Sequence, residues 1–220
     1  MARVLGRQRS NFVDLTGHDT EPFRELRLAL ELRPEPRTGN TIVFTSPSVA
    51  DGKSTLAANY ALVAADDGLN VLLVDADLRG PSLHEFFEVS REPGLVDFLG
   101  SEGELDDFVK PIFTGDGRLD LLTAGSPVRT FGHIASSSAM ATFLDRARWG
   151  RDIVVIDSPP ILASADTTGL ASHRGNDVVV LARLSSRRRP LMRALRKLQL
   201  TGANVVGLVV NGDGNPVPYS

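Results

Sequence analysis

The stretch that decides the fold is TIVFTSPSVADGKSTLAANYALVAADDG, residues 41–68. An apolar run predicted as a strand enters a loop ending in Gly-Lys-Ser-Thr (52–55), and an alanine-rich helix follows and ends near Gly68. Strand, loop and helix in this order form a phosphate cradle. Consecutive backbone N–H groups point inward, a lysine reaches the β and γ phosphates, and a hydroxyl meets Mg²⁺. The stretch therefore predicts a site for ATP and Mg²⁺.

Each residue type in this loop has a physical role. Gly52 permits close approach of the backbone to a phosphate, Lys53 supplies a cation, and Ser54 supplies the hydroxyl for the metal. The loop departs from the usual G-x-x-x-x-G-K-[ST] pattern at its first position, where Pro47 replaces glycine. The predicted nucleotide-binding residues of the loop are Ser48, Val49, Ala50, Asp51, Gly52, Lys53, Ser54 and Thr55.

The rest of the chain repeats an alternation of strand and helix patterns. Six short runs are mainly apolar, most of them rich in β-branched residues, and they do not alternate with polar residues in the way of half-buried strands, which indicates strands covered on both faces. The segments between them are long enough for crossover helices. The pattern predicts an α/β, doubly wound fold, with a mainly parallel sheet and helices on both faces. The predicted strands are 41–45, 71–74, 119–122, 153–156, 178–181 and 205–210, and the predicted helices are about 21–33, 53–66, 138–149 and 187–200.

One domain with two short flanking segments is predicted, because 220 residues suit a single α/β unit. Pro34 and Pro36 end the first helix and begin a linker. The predicted division is an N-terminal arm and helix over 1–40, an ATP-binding domain over 41–211 and a turn-rich, flexible tail over 212–220. Either a solvated tail or an arm contacting an anionic membrane surface or an adaptor would explain Arg3, Arg7 and Arg9.

Composition excludes several classes of site. The chain has no cysteine, which removes disulfides, thiolate metal sites and cysteine nucleophiles and fits a reducing cytoplasm. A net charge of −3 argues against affinity based on neutralising nucleic-acid phosphates, so no nucleic-acid partner is expected. The apolar runs are strand-sized, well short of the roughly 18 residues that span a bilayer. The four histidines are scattered without metal-ligand spacing.

Two further apolar runs end in carboxylates. VLLVDADLRGP carries Asp75 and Asp77, and RDIVVIDSPP carries Asp157. The carboxyl ends of parallel strands share the edge where ligands bind, and Asp75 and Asp77 share a side if the strand continues that far. Asp157 has the form of a Walker B aspartate, which orients Mg²⁺ or its water shell. The alternative for Asp157 is that it caps a helix or a turn. The alternative for Asp77 is that it caps a turn or pairs with Arg79.

Together these motifs resemble the bacterial tyrosine kinases and related cytoplasmic ATPases of exopolysaccharide and capsule assembly, within the MinD/ParA-like P-loop class. The resemblance covers about 21–211 and includes GLVDFLG (94–100) and GLVVN (207–211). In MinD and ParA relatives a signature lysine lies five positions before the P-loop lysine, and here Ser48 takes that place, which favours the kinase-like branch. The most specific elements are Glu21-x-x-Arg24-x-x-Arg27, Asp51-Gly52-Lys53-Ser54, the Walker A′ stretch Asp75-Ala76-Asp77-Leu78-Arg79, and Asp157-Ser158-Pro159-Pro160.

The resemblance implies a Mg²⁺-ATP-dependent tyrosine autokinase or kinase-like ATPase that regulates extracellular polysaccharide synthesis and export. Lys53 would act on the phosphates, and Asp75 or Asp77 would accept the tyrosine hydroxyl proton, which makes these three the candidate catalytic residues. The candidate metal site is Ser54, Asp75 and Asp157. Asn211 would contact the adenine edge, or it simply ends the last strand.

The resemblance also implies partners. The face carrying Glu21, Arg24 and Arg27 is similar to the family's oligomerisation motif, in which one subunit's helix meets its neighbour near the nucleotide site. An ordinary solvated helix face is the alternative. A homo-oligomer is thus expected, together with a membrane-embedded polysaccharide co-polymerase or adaptor. The expected location is cytoplasmic, at the inner face of the cell membrane, through that partner or through a membrane segment missing from this sequence.

Two features depart from the family. Its kinases usually end in a tyrosine cluster, whereas this chain has only Tyr60, predicted to lie in the core, and Tyr219, the candidate phosphosite. The loop PVRTFGHIASSS (127–138) places Thr130, Phe131 and His133 where the family tends to show Asn-Pro and an acidic residue. Two other functions therefore stay open: a MinD/ParA-like positioning ATPase that switches between monomer and dimer, and a nucleotide-gated scaffold with negligible turnover.

Overall fold

The computed structural model describes residues 12–15, 18–32, 40–114, 116–128 and 134–212. Within these ranges the strands are β1 (Thr41–Thr45), β2 (Asn70–Asp75), β3 (Lys110–Thr114), β4 (Arg118–Leu122), β5 (Ile153–Asp157), β6 (Asn176–Arg183) and β7 (Asn204–Asn211). The α-helices are α1 (Glu21–Glu31), α2 (Lys53–Asp66), α3 (Leu83–Phe86), α4 (Leu95–Leu99), α5 (Ser138–Arg148), α6 (Asp166–Ser172) and α7 (Arg188–Leu200).

The described strands form one sheet in the order β3-β4-β2-β5-β1-β6-β7. Every neighbouring pair is parallel except β3 with β4, which is antiparallel. The order places β5 between β2 and β1, so the ends of these three strands meet at one edge. Asp75 lies directly opposite Asp157 across β2 and β5, and Asp157 lies opposite Phe44 across β5 and β1. The sheet therefore brings the predicted chemistry of three separate segments together.

Helices cover both faces of the sheet, as predicted. Alternate residues of β5 face opposite layers: Ile153 and Val155 pack with α1 and α2, whereas Val154 and Ile156 pack with α5 and α7. This double burial explains why the central strands are almost continuously apolar. The same expectation was wrong for β7, which is apolar but lies at the edge of the sheet and has no buried residue. Tyr60 on α2 is 1% exposed, with its ring centroid 5.5 Å from that of Phe44, which confirms its prediction as a core residue.

All six predicted strands and all four predicted helices are present, with shifts of a few residues at their ends. The helix predicted over 21–33 ends at Glu31. The sequence analysis missed β3, an edge strand that contains Pro111 and pairs irregularly there, because proline argues against a strand until the edge position is known. It also missed α3, α4 and α6, which are four to seven residues long and too short to show a helical period.

Several predictions fall outside the described residues. These are the arginines of the arm, most of the linker, Thr130, Phe131 and His133 of the loop after β4, nearly all of the tail, and Tyr219. The division at residues 40 and 211 therefore stays a prediction. None of the helices in the described part of the chain combines the length and apolar character needed to cross a membrane.

Candidate functional site

The loop between β1 and α2 is held in shape by its own side chains. The buried carboxylate of Asp51 accepts a hydrogen bond from the Ser48 backbone N–H at 3.0 Å. Ala50 has a φ of 61°, a left-handed conformation that costs a non-glycine residue roughly 1–2 kcal/mol. Gly52 has a φ of 96° and caps α2, and a Cβ there would lie 2.9 Å from Asn211 Nδ2. Asp51 thus stabilises the loop from inside, while Ser48, Val49 and Ala50 are exposed.

Lys53, the first residue of α2, lies among carboxylates. Its Nζ atom is 2.9 Å from Asp77 Oδ2, 3.5 Å from Asp157 Oδ1, and 3.3 Å from the hydroxyl of Ser54. Burial alone lowers the pKa of Lys53, but the charges of Asp157 and Asp77 outweigh burial and raise it above its ordinary value. The ammonium is therefore charged and aimed at the strand ends, where a phosphate could replace its present partners.

Asp157, at the end of β5, is a fully buried carboxylate whose nearest cation is the Lys53 ammonium, 3.5 Å from its Oδ1 atom. Neither of its oxygens has a hydrogen-bond partner among the described residues. Burial raises the pKa of Asp157 to about 6, although the charge of Lys53 opposes this rise. A buried polar group without a partner costs about 1–3 kcal/mol or more, so such a carboxylate is expected to serve a cation.

The residues around Asp157 fit Mg²⁺, which prefers a few hard oxygen ligands and keeps several waters. Asp157 offers two oxygens that accept no hydrogen bond in the described part of the chain, one of them in an ion pair with Lys53, and Ser54 offers a hydroxyl next to Lys53. In the described ranges no group of three or more acidic or histidine side chains is arranged to hold a metal ion. Phosphate oxygens and water would supply the remaining ligands.

Asp75 and Asp77 have different surroundings. The extended strand ends at Asp75, so the condition under which the two would share a side is not met. Asp75 is buried and accepts hydrogen bonds from the backbone N–H groups of Ser82 and Leu83, both at 3.0 Å. Asp77 pairs with Lys53 and accepts a bond from the Gly80 N–H at 3.2 Å. Asp75 therefore stabilises the turn after β2, and Asp77 combines a turn contact with a place beside the lysine.

A cavity of about 580 Å³ opens in front of these groups. One wall is the loop after β5, which is fastened by bonds from Thr45 Oγ1 to the Pro159 carbonyl and from the Ile161 N–H to the Ser46 carbonyl. Sequence reasoning gave Ser164 and Asp166, which follow the two prolines of this loop, no role. Asp166 lies 3.8 Å from Arg79 at the cavity rim. The lining residues are Val49, Ala50, Gly52, Lys53, Ser54, Thr55, Asp77, Arg79, Gly80, Ser82, Pro159, Pro160, Ala163 and Ser164.

A second, more apolar groove of about 240 Å³ adjoins the first. Both are lined by Gly52 and Thr55, and the groove continues between α1, α2 and the ends of β6 and β7. Asn211 lines it, as do Phe23 and Leu26 of α1. The predicted adenine contact therefore lies beside an apolar space that shares Gly52 and Thr55 with the first cavity.

A ParA family model, described as the NUBPL iron-transfer P-loop NTPase, matches residues 38–215. The chain is 31% identical to the tyrosine-protein kinase YwqD of Bacillus subtilis over 194 residues, 88% of this chain and 81% of YwqD. It belongs to the ParA-family P-loop NTPases, in the branch of the bacterial tyrosine-protein kinases.

Two further relatives fit this placement. The chain is 34% identical to EpsB of Ralstonia nicotianae over 201 residues, 90% of this chain but only 26% of EpsB, so it spans about a quarter of that relative. The solved kinase domain of the Escherichia coli tyrosine kinase Etk superposes with a TM-score of 0.83 at 25% identity, covering 97% of this chain and 86% of that one.

In this tyrosine-kinase-family domain, the arginines of α1 also pair within the chain. Arg24 Nε lies 2.9 Å from Asp67 Oδ1, and Arg27 Nη2 lies 2.7 Å from Asp67 Oδ2, so one carboxylate at the end of α2 joins both. The side chains of Arg24 and Arg27 keep 36% and 24% exposure. Glu21 is exposed on the same helix. The arginines therefore tie α1 to α2, and their predicted role between subunits stays a prediction.

Because Asp75 of this kinase-family domain is buried, we expect the stability of the folded protein to depend on pH. Burial, with the charge of Asp157, raises the pKa of Asp75 to about 8 from its usual value of 3.8. When the pKa of a group is higher in the folded protein than in the unfolded chain, its protonated form stabilises the fold. That stabilisation is complete at a pH below the unfolded-state pKa and is lost as the pH rises through the folded-state pKa. We expect the melting temperature of the metal-free, nucleotide-free protein to fall from about pH 5 to about pH 8, and Asp75→Asn to reduce that fall.

The matched control is Asp145→Asn, which removes an exposed carboxylate on α5. Its melting temperature should follow the wild-type pH profile. If the melting temperature of Asp75→Asn also followed the wild-type pH profile, the burial assigned to Asp75 would be wrong.

Proposed function

We propose that this domain is a Mg²⁺-ATP-dependent protein tyrosine kinase that phosphorylates copies of itself. The observation that carries the proposal is the position of Lys53, which is 2.9 Å from Asp77 and 3.5 Å from Asp157 and lines a cavity of about 580 Å³. Phosphoryl transfer depends on positioning and on charge neutralisation, and these residues supply both. The names of YwqD and Etk as tyrosine kinases support the choice of acceptor.

Binding of the nucleotide would exchange the partners of Lys53. The ammonium would leave Asp77 and donate to the β and γ phosphates, and the loop N–H groups would take the remaining phosphate oxygens. Ser54 and Asp157 would hold Mg²⁺, with Asp75 behind them. The bound metal would neutralise charge on the transferring phosphoryl group.

Asp77 is the better candidate for the base. Both Asp75 oxygens already accept backbone N–H bonds and its side chain is buried, whereas Asp77 lines the cavity. Once Lys53 turns to the phosphates, Asp77 can accept the proton of a tyrosine hydroxyl. The phenolic oxygen then bonds to the γ-phosphorus, the bond from that phosphorus to the β–γ bridging oxygen breaks, and ADP leaves.

Adenine would occupy the apolar groove beside the P-loop. Asn211 lines this groove and also lies against Gly52, so one side chain is near both the base and the phosphate loop. An amide offers a donor and an acceptor to the adenine edge, while Phe23 and Leu26 offer apolar contact.

The biological setting is proposed from the family. The kinase would form a homo-oligomer through Glu21, Arg24 and Arg27, and it would regulate extracellular polysaccharide synthesis and export. It would act in the cytoplasm, at the inner face of the cell membrane, with a membrane-embedded co-polymerase or adaptor. Arginine suits such an interface because its planar fork pairs carboxylates bidentately.

Incubation with γ-labelled ATP and Mg²⁺ tests the activity. We expect label on the protein, mapped to Tyr219 and lost in Tyr219→Phe, because Tyr60 is buried and unavailable to a second subunit. A glutamate–tyrosine copolymer added as acceptor should be labelled by the wild-type protein and by Tyr219→Phe.

Two results would contradict the proposal. Release of free phosphate with no label on Tyr219 or on the copolymer would favour a positioning ATPase. Absence of both products, together with assembly driven by ATP, would favour the nucleotide-gated scaffold.

A further inference from the structure

The net charge of −3 hides a strongly basic segment. Between Val178 and Gly212 the chain has no aspartate or glutamate, so all 27 acidic residues lie outside this segment. Seven of the 24 arginine and lysine residues lie inside it: Arg183, Arg187, Arg188, Arg189, Arg193, Arg196 and Lys197. Such segregation creates a positive field over one part of the surface even when the whole chain is acidic.

Most of these charges lie on the outer side of α7. Ala194 and Leu198 are buried in the core, and Leu191 and Leu195 pack partly against it, which fixes the inner side of the helix. The outer side and the preceding turn carry exposed residues, which we call the α7 basic face: Leu184, Arg187, Arg188, Arg189, Met192, Arg193, Arg196 and Leu200.

In the part of the chain that the structure describes, the arginines of the α7 basic face have no acidic partner. Across the described ranges, no carboxylate lies within ion-pair distance of Arg187, Arg188, Arg189, Arg193 or Arg196. Several arginines elsewhere in the structure pair with carboxylates, as Arg151 does with the buried Asp120 at 3.0 Å. Lys197 is excluded from this face because its ammonium donates to the Ile161 and Ser164 carbonyls at 2.6 and 3.1 Å.

Aliphatic side chains stand among these arginines. Leu184 is 75% exposed, Met192 42% and Leu200 88%. A nucleic acid would use the guanidinium groups but would leave these apolar side chains in water. An anionic bilayer uses both, since arginines meet lipid phosphates while aliphatic groups enter the acyl boundary. The interleaving therefore favours a lipid surface.

We propose that the α7 basic face docks directly on a membrane surface rich in anionic lipids. This contact goes beyond the proposed function, because it needs neither the adaptor nor kinase activity. It also lies next to the proposed nucleotide site, since the N–H of Leu184 donates to the Asn211 carbonyl at 2.8 Å. A docked helix would bring the adenine groove close to the membrane.

Co-sedimentation of the full chain with vesicles tests the proposal. We expect binding to vesicles of phosphatidylglycerol and phosphatidylcholine, little binding to phosphatidylcholine alone, and weakening as salt screens the charges. Each arginine near an anionic leaflet contributes about 1 kcal/mol, or about five-fold in partitioning. Arg193→Glu with Arg196→Glu should therefore lower the partition coefficient by at least ~30-fold.

The matched control is Arg146→Glu with Arg174→Glu, which makes the same change in net charge at exposed positions outside the α7 basic face. It should retain most of the vesicle binding, and circular dichroism should show both variants folded. Met192→Ser with Leu200→Ser, which keeps every arginine, should weaken vesicle binding.

The proposal is overturned if the two charge-reversal variants bind vesicles equally, or if vesicle binding does not depend on phosphatidylglycerol. It is also overturned if double-stranded DNA binds more tightly than the vesicles at the same salt concentration and Met192→Ser with Leu200→Ser leaves vesicle binding unchanged.

Discussion

Lys53→Met is expected to lower ATP affinity and phosphoryl transfer by ~100–1,000-fold each, the range seen when one preorganised charge-stabilising group is removed. The variant loses the cation for the phosphates and also leaves Asp77 and Asp157 without their shared partner. Breaking a buried ion pair from one side costs about 3–5 kcal/mol, so the melting temperature at neutral pH should also fall. Calorimetry with MgATP, label transfer and thermal melting measure the three effects.

Asp77→Asn is the informative comparison. It keeps Lys53, Ser54 and Asp157 but removes the carboxylate proposed to accept the tyrosine proton. ATP binding should be retained within several-fold while label transfer falls by ~100-fold or more. Unchanged MgATP uptake by Lys53→Met would contradict the whole assignment of the site, whereas full transfer by Asp77→Asn would contradict only the choice of base.

Arg24→Ala with Arg27→Ala is expected to shift the assembled protein toward monomer in size-exclusion chromatography with light scattering. The two guanidinium groups present paired donors on α1 and stay partly exposed, so they are available to a neighbouring subunit. If this double variant assembles as the wild type does, the assignment of Arg24 and Arg27 to an interface between subunits is wrong.

The intrachain pairs with Asp67 require a second variant. Asp67→Asn removes the carboxylate that joins both arginines but leaves the arginines themselves. If they act on a neighbour, assembly should persist in Asp67→Asn. If they act only by holding α1 to α2, both variants should dissociate alike, and the role between subunits would be wrong.

Local patterns in the sequence predicted much of the architecture. Most predicted strands are nearly uninterrupted apolar runs, and for the central strands such runs correctly indicated burial on both faces. The run at 205–210 did not, because β7 lies at the edge of the sheet and has no buried residue. Because the carboxyl ends of parallel strands share an edge, the runs ending at Asp75 and Asp157 also predicted carboxylates near the P-loop lysine. The separation of 3.5 Å between Lys53 and Asp157 agrees with that prediction.

What the sequence by itself determined is therefore the class of sheet, the phosphate loop and the strand ends that carry acidic groups, since these depend on residues close together in the chain. Only the tertiary structure decided which strands are neighbours, and hence that Asp75 faces Asp157 in a buried layer that raises both pKa values. It also decided that Asp67 joins the α1 arginines and that, within the described ranges, the arginines of the α7 basic face lack acidic partners. Pairings between distant segments depend on the strand order and on side-chain directions, and a periodic pattern in one chain encodes neither.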